Sequence, residues 1–80
     1  MKAKVEVFLK PGVLDVQGKA VENALHGLGW AAAANVRVGR VITFDLAAAS
    51  EADGRAQAEA MCDRLLANPV IESWTVEVMT

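Results

Sequence analysis

The sequence predicts an α+β fold, a two-layer sandwich in which a small antiparallel sheet carries two helices on one face. Three observations predict it: period-two alternation near both ends of the chain, helical spacing in two stretches between them, and connections short enough to pack neighbours together. The order is strand, helix, strand, helix, strand, with a long bent middle strand. If that strand is instead a bulged hairpin, the order becomes βαββαβ. Residues 1–80 are expected to form a single domain.

From Ala3 to Leu9 the residues Ala3, Val5, Val7 and Leu9 alternate with Lys4, Glu6 and Phe8, the period of a half-buried strand. Lys10-Pro11-Gly12 ends it, because Pro lacks the ladder donor and Gly tolerates turn angles. Asp15 is placed to cap a helix whose buried face is Val21, Ala24, Leu25 and Leu28, at i, i+3, i+4 and i+7, and Gly29 closes it. Between Asn35 and Leu46 the inward candidates Val36, Val38, Ile42, Phe44 and Leu46 all fall on even positions. A two-residue hairpin at Gly39-Arg40 would put Val36 and Val38 on the wrong face, so one strand bent at Gly39 is favoured; only a bulge rescues the hairpin.

Ser50 and Asp53 form an approximate capping box for a helix running through Leu66, with Ala58, Met61, Cys62 and Leu65 as its apolar stripe. Pro69 disfavours helical geometry at Asn68, which stops the helix at Leu66 or Ala67. Trp74, Val76 and Val78 then alternate with Thr75 and Glu77 as the last strand.

A chain of 80 residues buries only about 60% of the surface its unfolded form exposes, so help from association is expected. Its single cysteine removes an internal disulfide, and Cys62 with His26 cannot furnish a closed zinc site. A net charge of −2 without a basic stripe argues against nucleic acid. No apolar run approaches the ~20 residues of a membrane helix, and a cytoplasmic chain with a reduced thiol is expected. Alanine supplies much of the 54% hydrophobic fraction, so the core must be thin, and Trp30 and Trp74 are expected to fill it or its rim.

The candidate chemistry is sparse. Cys62 falls on a helical stripe and reads as buried packing, His26 as a solvated side chain, and Glu51 and Asp53 as carboxylates facing a helix dipole. The loop KPGVLD lacks the glycine spacing of a phosphate cradle. No catalytic, cofactor-binding or metal-ligating residue is assigned. Lys10, Arg37 and Arg40 lie at strand ends or on the outward face, where they can meet a partner's carboxylates. Phe8 and Val41 point from the sheet face opposite the helices, and an apolar patch there suggests self-association as a homodimer or tetramer.

Three stretches, KPGVLDVQGKAVENALHGLG from Lys10 to Gly29, NVRVGR from Asn35 to Arg40 and MCDRLLANPVIESW from Met61 to Trp74, resemble the PurS family, the small subunit of phosphoribosylformylglycinamidine synthase. Departures are slight: Val16 stands where proline is frequent, Arg40 where lysine is common, and an alanine run precedes Asn35. The resemblance implies a non-catalytic subunit in purine biosynthesis that bridges a PurQ-type glutaminase and a PurL-type synthetase and assists ammonia transfer. ATP, Mg and glutamine would then be used on those other subunits. Lys10, Pro11, Gly12, Asp15, Arg37 and Arg40 are the residues expected to touch partners. Two further readings come from different classes: a dimeric regulatory domain that binds a small molecule, and a thiol enzyme using Cys62.

Overall fold

The computed structural model describes residues 1–79. It comprises β1 (Lys2–Leu9), α1 (Val16–Gly27), β2 (Arg40–Asp45), α2 (Glu51–Met61), a π-helical turn (Cys62–Leu66) and β3 (Glu72–Met79). The three strands form one open sheet in the order β2-β1-β3, antiparallel throughout, so the predicted α+β class holds. Register follows the hydrophobic parity. Val5 faces Ile42 on one side and Val76 on the other, and Ala3 stands between Phe44 and Val78. Ala3, Val5 and Val7 on one face of β1 are therefore fully buried while Lys2, Lys4, Glu6 and Phe8 share the opposite face.

α2 lies over β1 and β3. Ser50 caps it by accepting the Asp53 amide at 3.1 Å, and the Asp53 carboxylate reaches back to the Ala49 amide at 3.2 Å, one residue earlier than a standard capping box. Ala58 and Cys62 are completely buried with Ala3, Val5 and Val7. The largest fully buried side chains are Val5, Val7 and Cys62, so the interior is as thin as the alanine content implies. Trp74 packs on its rim, and its indole donates to Glu59 at 2.8 Å.

Leu65 departs from its expected place. It is 83% exposed, and Leu66 packs on the core instead. The cause is the π turn, in which the Ala67 amide bonds the Cys62 carbonyl at 3.1 Å. One extra residue in that turn moves the apolar stripe forward by one position.

The middle segment also differs. Only Arg40–Asp45 joins the ladder; residues 35–39 lie outside it, unpaired with β1. Their amides are taken by carboxylates of another element, described below. Even so Val36, Val38, Ile42, Phe44 and Leu46 are all partly buried while Arg37, Gly39, Val41 and Thr43 are exposed, the expected parity. Asn35 enters the segment at φ 56°, left-handed backbone that Asn tolerates better than most residues.

α1 begins and ends where expected. Asp15 caps it, and a Schellman arrangement closes it: Gly29 at φ 107° donates to His26 and Trp30 donates to Leu25. Its packing is unlike the expectation. α1 rests on residues 35–38 and extends beyond the sheet, so the chain measures 50 × 26 × 14 Å, with a radius of gyration of 15.8 Å against ~12 Å for a compact chain of this length. The expected buried face is open: Leu28 is 73% and Val21 43% exposed, Ala24 is exposed and Leu25 only half-buried. Trp30, expected at the core, is 62% exposed because it follows α1 away from the sheet. Helical periodicity identifies an apolar face; it does not say that the same chain covers it.

Candidate functional site

The most organised polar region lies at one corner of the molecule, where the loop after β1, the segment before β2 and the turn before β3 meet. It is built from Asp15. That side chain is 5% exposed, accepts the Gly18 amide through Oδ1 at 2.8 Å and the Val38 amide through Oδ2 at 2.8 Å. Two turns later on α1, Glu22 accepts the Val36 amide at 3.1 Å. Two carboxylates of the helix and its cap thus satisfy alternate amides of the segment before β2, which is why those amides need no strand partner.

Arg37 closes the corner from the other side. Its Nε stands 3.9 Å from Asp15, and its Nη atoms donate to the carbonyls of Leu9, Lys10 and Val13 at 3.1–3.4 Å. Pro11 and Gly12 form the exposed tip of the loop that those bonds hold. Lys10 joins the turn before β3 twice, by its amide to the Ile71 carbonyl and by Nζ to the Pro69 carbonyl, both at 2.8 Å. Arg40 makes a two-pronged pair with Glu72 at 2.6 and 3.1 Å and also donates to the Leu66 carbonyl. Glu72 in turn accepts the Asn68 amide at 2.7 Å.

Every residue expected to meet a partner therefore falls within this corner or beside it, yet Lys10, Asp15, Arg37 and Arg40 all bind groups of their own chain. Sequence reasoning missed Glu22, Glu72 and Gly18. Glu72 lies inside the LLANPVIE stretch, and Glu22 falls two helical turns after Asp15, a spacing that could have flagged a second bond to the same segment. Nothing local signals Gly18. A Cβ there would meet the Val36 carbonyl oxygen and the Asp15 carboxylate closer than real Cβ atoms come to any neighbour.

Electrostatics follow from these bonds. The Gly18 and Val38 amides, aided by Arg37, hold the Asp15 carboxyl below its ordinary value of 3.8 against the opposing effect of burial. The Val36 amide lowers Glu22, and Arg40 with the Asn68 amide lowers Glu72, both from 4.5. Glu72 raises Arg40 in return. A carboxylate lowered by folding stabilises the native state above its unfolded value, and that contribution is lost as pH falls through the lower folded value. Melting temperature is thus expected to change little from about pH 7 to 5.5 and to drop progressively below about pH 4.5. Thermal melts at a series of pH values check this, and the drop should be shallower in Asp15→Asn and Glu72→Gln.

The remaining candidates lie elsewhere. Cys62 is completely buried, and burial with nearby Glu59 pushes its thiol above the ordinary range. His26 is exposed, with Nε2 2.6 Å from the Ala33 carbonyl oxygen. Phe8 and Val41 are 41% and 58% exposed on the outer sheet face, as expected. Among the described residues no three His, Cys, Asp or Glu side chains gather as a metal-binding group, and no helix is long and apolar enough to cross a membrane. A 370 Å³ cleft runs beside the corner between Val7, Leu14, Asp15, Arg40 and Glu72.

The fold and this corner define a small open-sheet α+β protein whose charged groups brace its own loops. The family model described as PurS, phosphoribosylformylglycinamidine (FGAM) synthase, matches residues 2–80. The chain belongs to the PurS family, the PurS subunits of FGAM synthase in purine biosynthesis. It is 43% identical over 75 residues to the PurS subunit of Synechocystis, covering 94% of this chain and 75% of that one, and 42% identical over 77 residues to that of Bacillus subtilis, covering 96% and 90%. Among solved structures it matches Methanocaldococcus jannaschii PurS with a TM-score of 0.90 at 34% identity, covering 99% of this chain and 95% of that one. The structure of B. subtilis PurS matches with a TM-score of 0.88 at 40% identity, covering 99% and 98%.

Proposed function

We propose that this chain is the non-catalytic subunit that joins the glutaminase and the ATP-using synthetase of FGAM synthase, and that it does so in the cytoplasm as a homo-oligomer. The glutaminase releases ammonia from glutamine. The synthetase, with ATP and Mg, activates the formyl amide oxygen of formylglycinamide ribonucleotide and replaces it with that ammonia. Ammonia set free in neutral water is mostly protonated and no longer a nucleophile, so the two sites must be coupled away from solvent. A subunit that holds them together meets that need without any reactive group of its own.

One observation carries this reading. The charged residues of the corner bind their own backbone, so what faces outward is a fixed shape with apolar points, Leu65 at 83% and Val70 at 78% exposure. A surface with that character suits docking better than turnover. The test is reconstitution with the glutaminase and synthetase subunits. Leaving this chain out is expected to lower glutamine-dependent amidine formation at least about tenfold while changing the reaction with free ammonia much less. An equal loss with both nitrogen sources would reject coupling as its role.

A further inference from the structure

We propose that the open groove between the loop after β1 and α1 takes a carboxylate-bearing segment of one of the two unlike subunits. The inference rests on the joining role proposed above and names a surface for it. The groove has a volume of 960 Å³ and runs between Phe8, Pro11, Leu14, Lys19 and Arg37. It opens on the side of the sheet opposite α2, because Phe8 and its register partner Ser73, which also lines it, belong to the outer face.

Its two ion pairs are lopsided. Glu22 and Asp15 keep 15% and 5% of their side chains in water, whereas their partners Lys19 and Arg37 keep 62% and 35%. The acids are also spent: Asp15 accepts the Gly18 and Val38 amides, and Glu22 accepts the Val36 amide. The cations are not. Lys19 has three donors to place and makes one long contact, at 3.4 Å. Arg37 is held chiefly by the neutral carbonyls of Leu9, Lys10 and Val13, with its carboxylate 3.9 Å away. The groove therefore turns positive donors toward solvent and hides the negative charge that balances them, on a chain whose net charge is −2. A carboxylate is the group that completes such donors. Because the guanidinium is already held in place, little side-chain freedom is lost when one arrives.

A polypeptide segment fits better than a free anion. Small-molecule sites enclose most of their ligand, whereas this groove is open along one side and carries apolar points, Phe8 and Leu14, beside its charges. Exposed apolar anchors next to a polar rim are the make-up of a protein interface. The rest of the chain orients the partner. On the other side of the sheet α2 carries Glu51, Asp53 and Glu59 against Arg55 alone, so an acidic surface is repelled there and drawn to the groove.

The test is a titration of this chain into the glutaminase and synthetase subunits, with ATP, Mg and glutamine present, followed by sedimentation velocity. Lys19→Glu is expected to raise the concentration needed for half-incorporation at least about tenfold with an unchanged circular-dichroism spectrum. Lys19→Arg should enter the complex as wild type does. Lys2→Glu makes the same change of net charge at the far end of β1, beside Asp45, and should leave incorporation unchanged. Carbodiimide, which joins an amine to a carboxylate in contact, should link Lys19 to an Asp or Glu of an unlike subunit. If Lys19→Glu enters the complex as readily as wild type, or Lys2→Glu is impaired equally, the groove assignment falls and the joining role stands. The assignment falls too if the linked carboxylate belongs to a second copy of this chain, or if ATP alone binds the isolated chain in calorimetry and Lys19→Glu abolishes that binding. A wild type that enters no complex overturns the joining role and this inference together.

Discussion

Gly18→Ala is expected to destabilise the protein by about 2 kcal/mol, the scale of an overpacked contact, and to lower its melting temperature by roughly 10 °C for a domain of this size. Helix propensity alone predicts the opposite, a gain of up to ~1 kcal/mol. Sterics win because the new methyl group meets backbone, the Val36 carbonyl oxygen, as well as the Asp15 carboxylate. The carbonyl is backbone and cannot rotate aside, and the carboxylate can do so only by giving up its bonds to the Gly18 and Val38 amides. Relieving the contact means moving α1 off the 35–38 segment, which stretches the Asp15 bond to Val38 and the Glu22 bond to Val36. Gly27→Ala is the internal control. It lies in the same helix with nothing within 4 Å of its added Cβ, so the propensity term acts unopposed and stability should rise by a few tenths of a kcal/mol. Calorimetry of the two variants should give shifts of opposite sign; a stabilised Gly18→Ala would show that the helix and the segment are not in the contact described.

The second large effect is expected at Arg40. Arg40→Met keeps an unbranched apolar stem but removes both bonds to Glu72 and the one to the Leu66 carbonyl. Glu72, with only 12% of its side chain exposed, would keep the Asn68 amide as its one partner. A carboxylate left partly buried without its cation is costly, but 47% of the arginine side chain is in water, so the loss is discounted to about 1–2 kcal/mol. Urea denaturation at neutral pH measures it. Glu72→Gln in the Arg40→Met background should recover part of the loss, because the uncharged amide needs no counter-ion. A full loss in Arg40→Met, with little loss in Glu72→Gln and no recovery in the pair, would mean that the Leu66 carbonyl bond, and not the ion pair, holds the corner.

Much of the architecture could be read from local signals. Asp15, Ser50 and Gly29 announce helix ends by chemistry that acts within a few residues, and the alternation in β1 and β3 sets which side of the sheet is dry. The even parity from Val36 to Leu46 likewise survives in the structure, although the ladder covers only part of that stretch. What escaped depends on residues far apart in sequence. The π turn exchanges Leu65 for Leu66, and no residue near it advertises an i+5 bond. The unpaired stretch before β2 is explained by Glu22 and Asp15, whose amide partners lie 14 and 23 residues away.

The corner shows the same division. Lys10, Asp15, Arg37 and Arg40 stood out as charged residues near strand ends, and they do cluster. Charge signals that a group needs a counterpart, but the counterparts here are mostly carbonyls and amides, which every sequence supplies and no sequence marks. The apolar stripe on α1 was legible from its spacing and wrongly located as core, since spacing along a helix carries no information about what lies against it.

The surplus residue in the turn at Cys62–Leu66 also sets a bearing. Each helical residue rotates the path by about 100° and advances it ~1.5 Å. A chain shortened by one position there would leave its helix pointing more than a quarter-circle away, and Asn68-Pro69 would launch the final strand past its neighbour instead of alongside it. The wide turn acts as an aiming wedge, and single-residue deletions between Cys62 and Leu66 should be tolerated far less well than deletions in the alanine tract before Asn35.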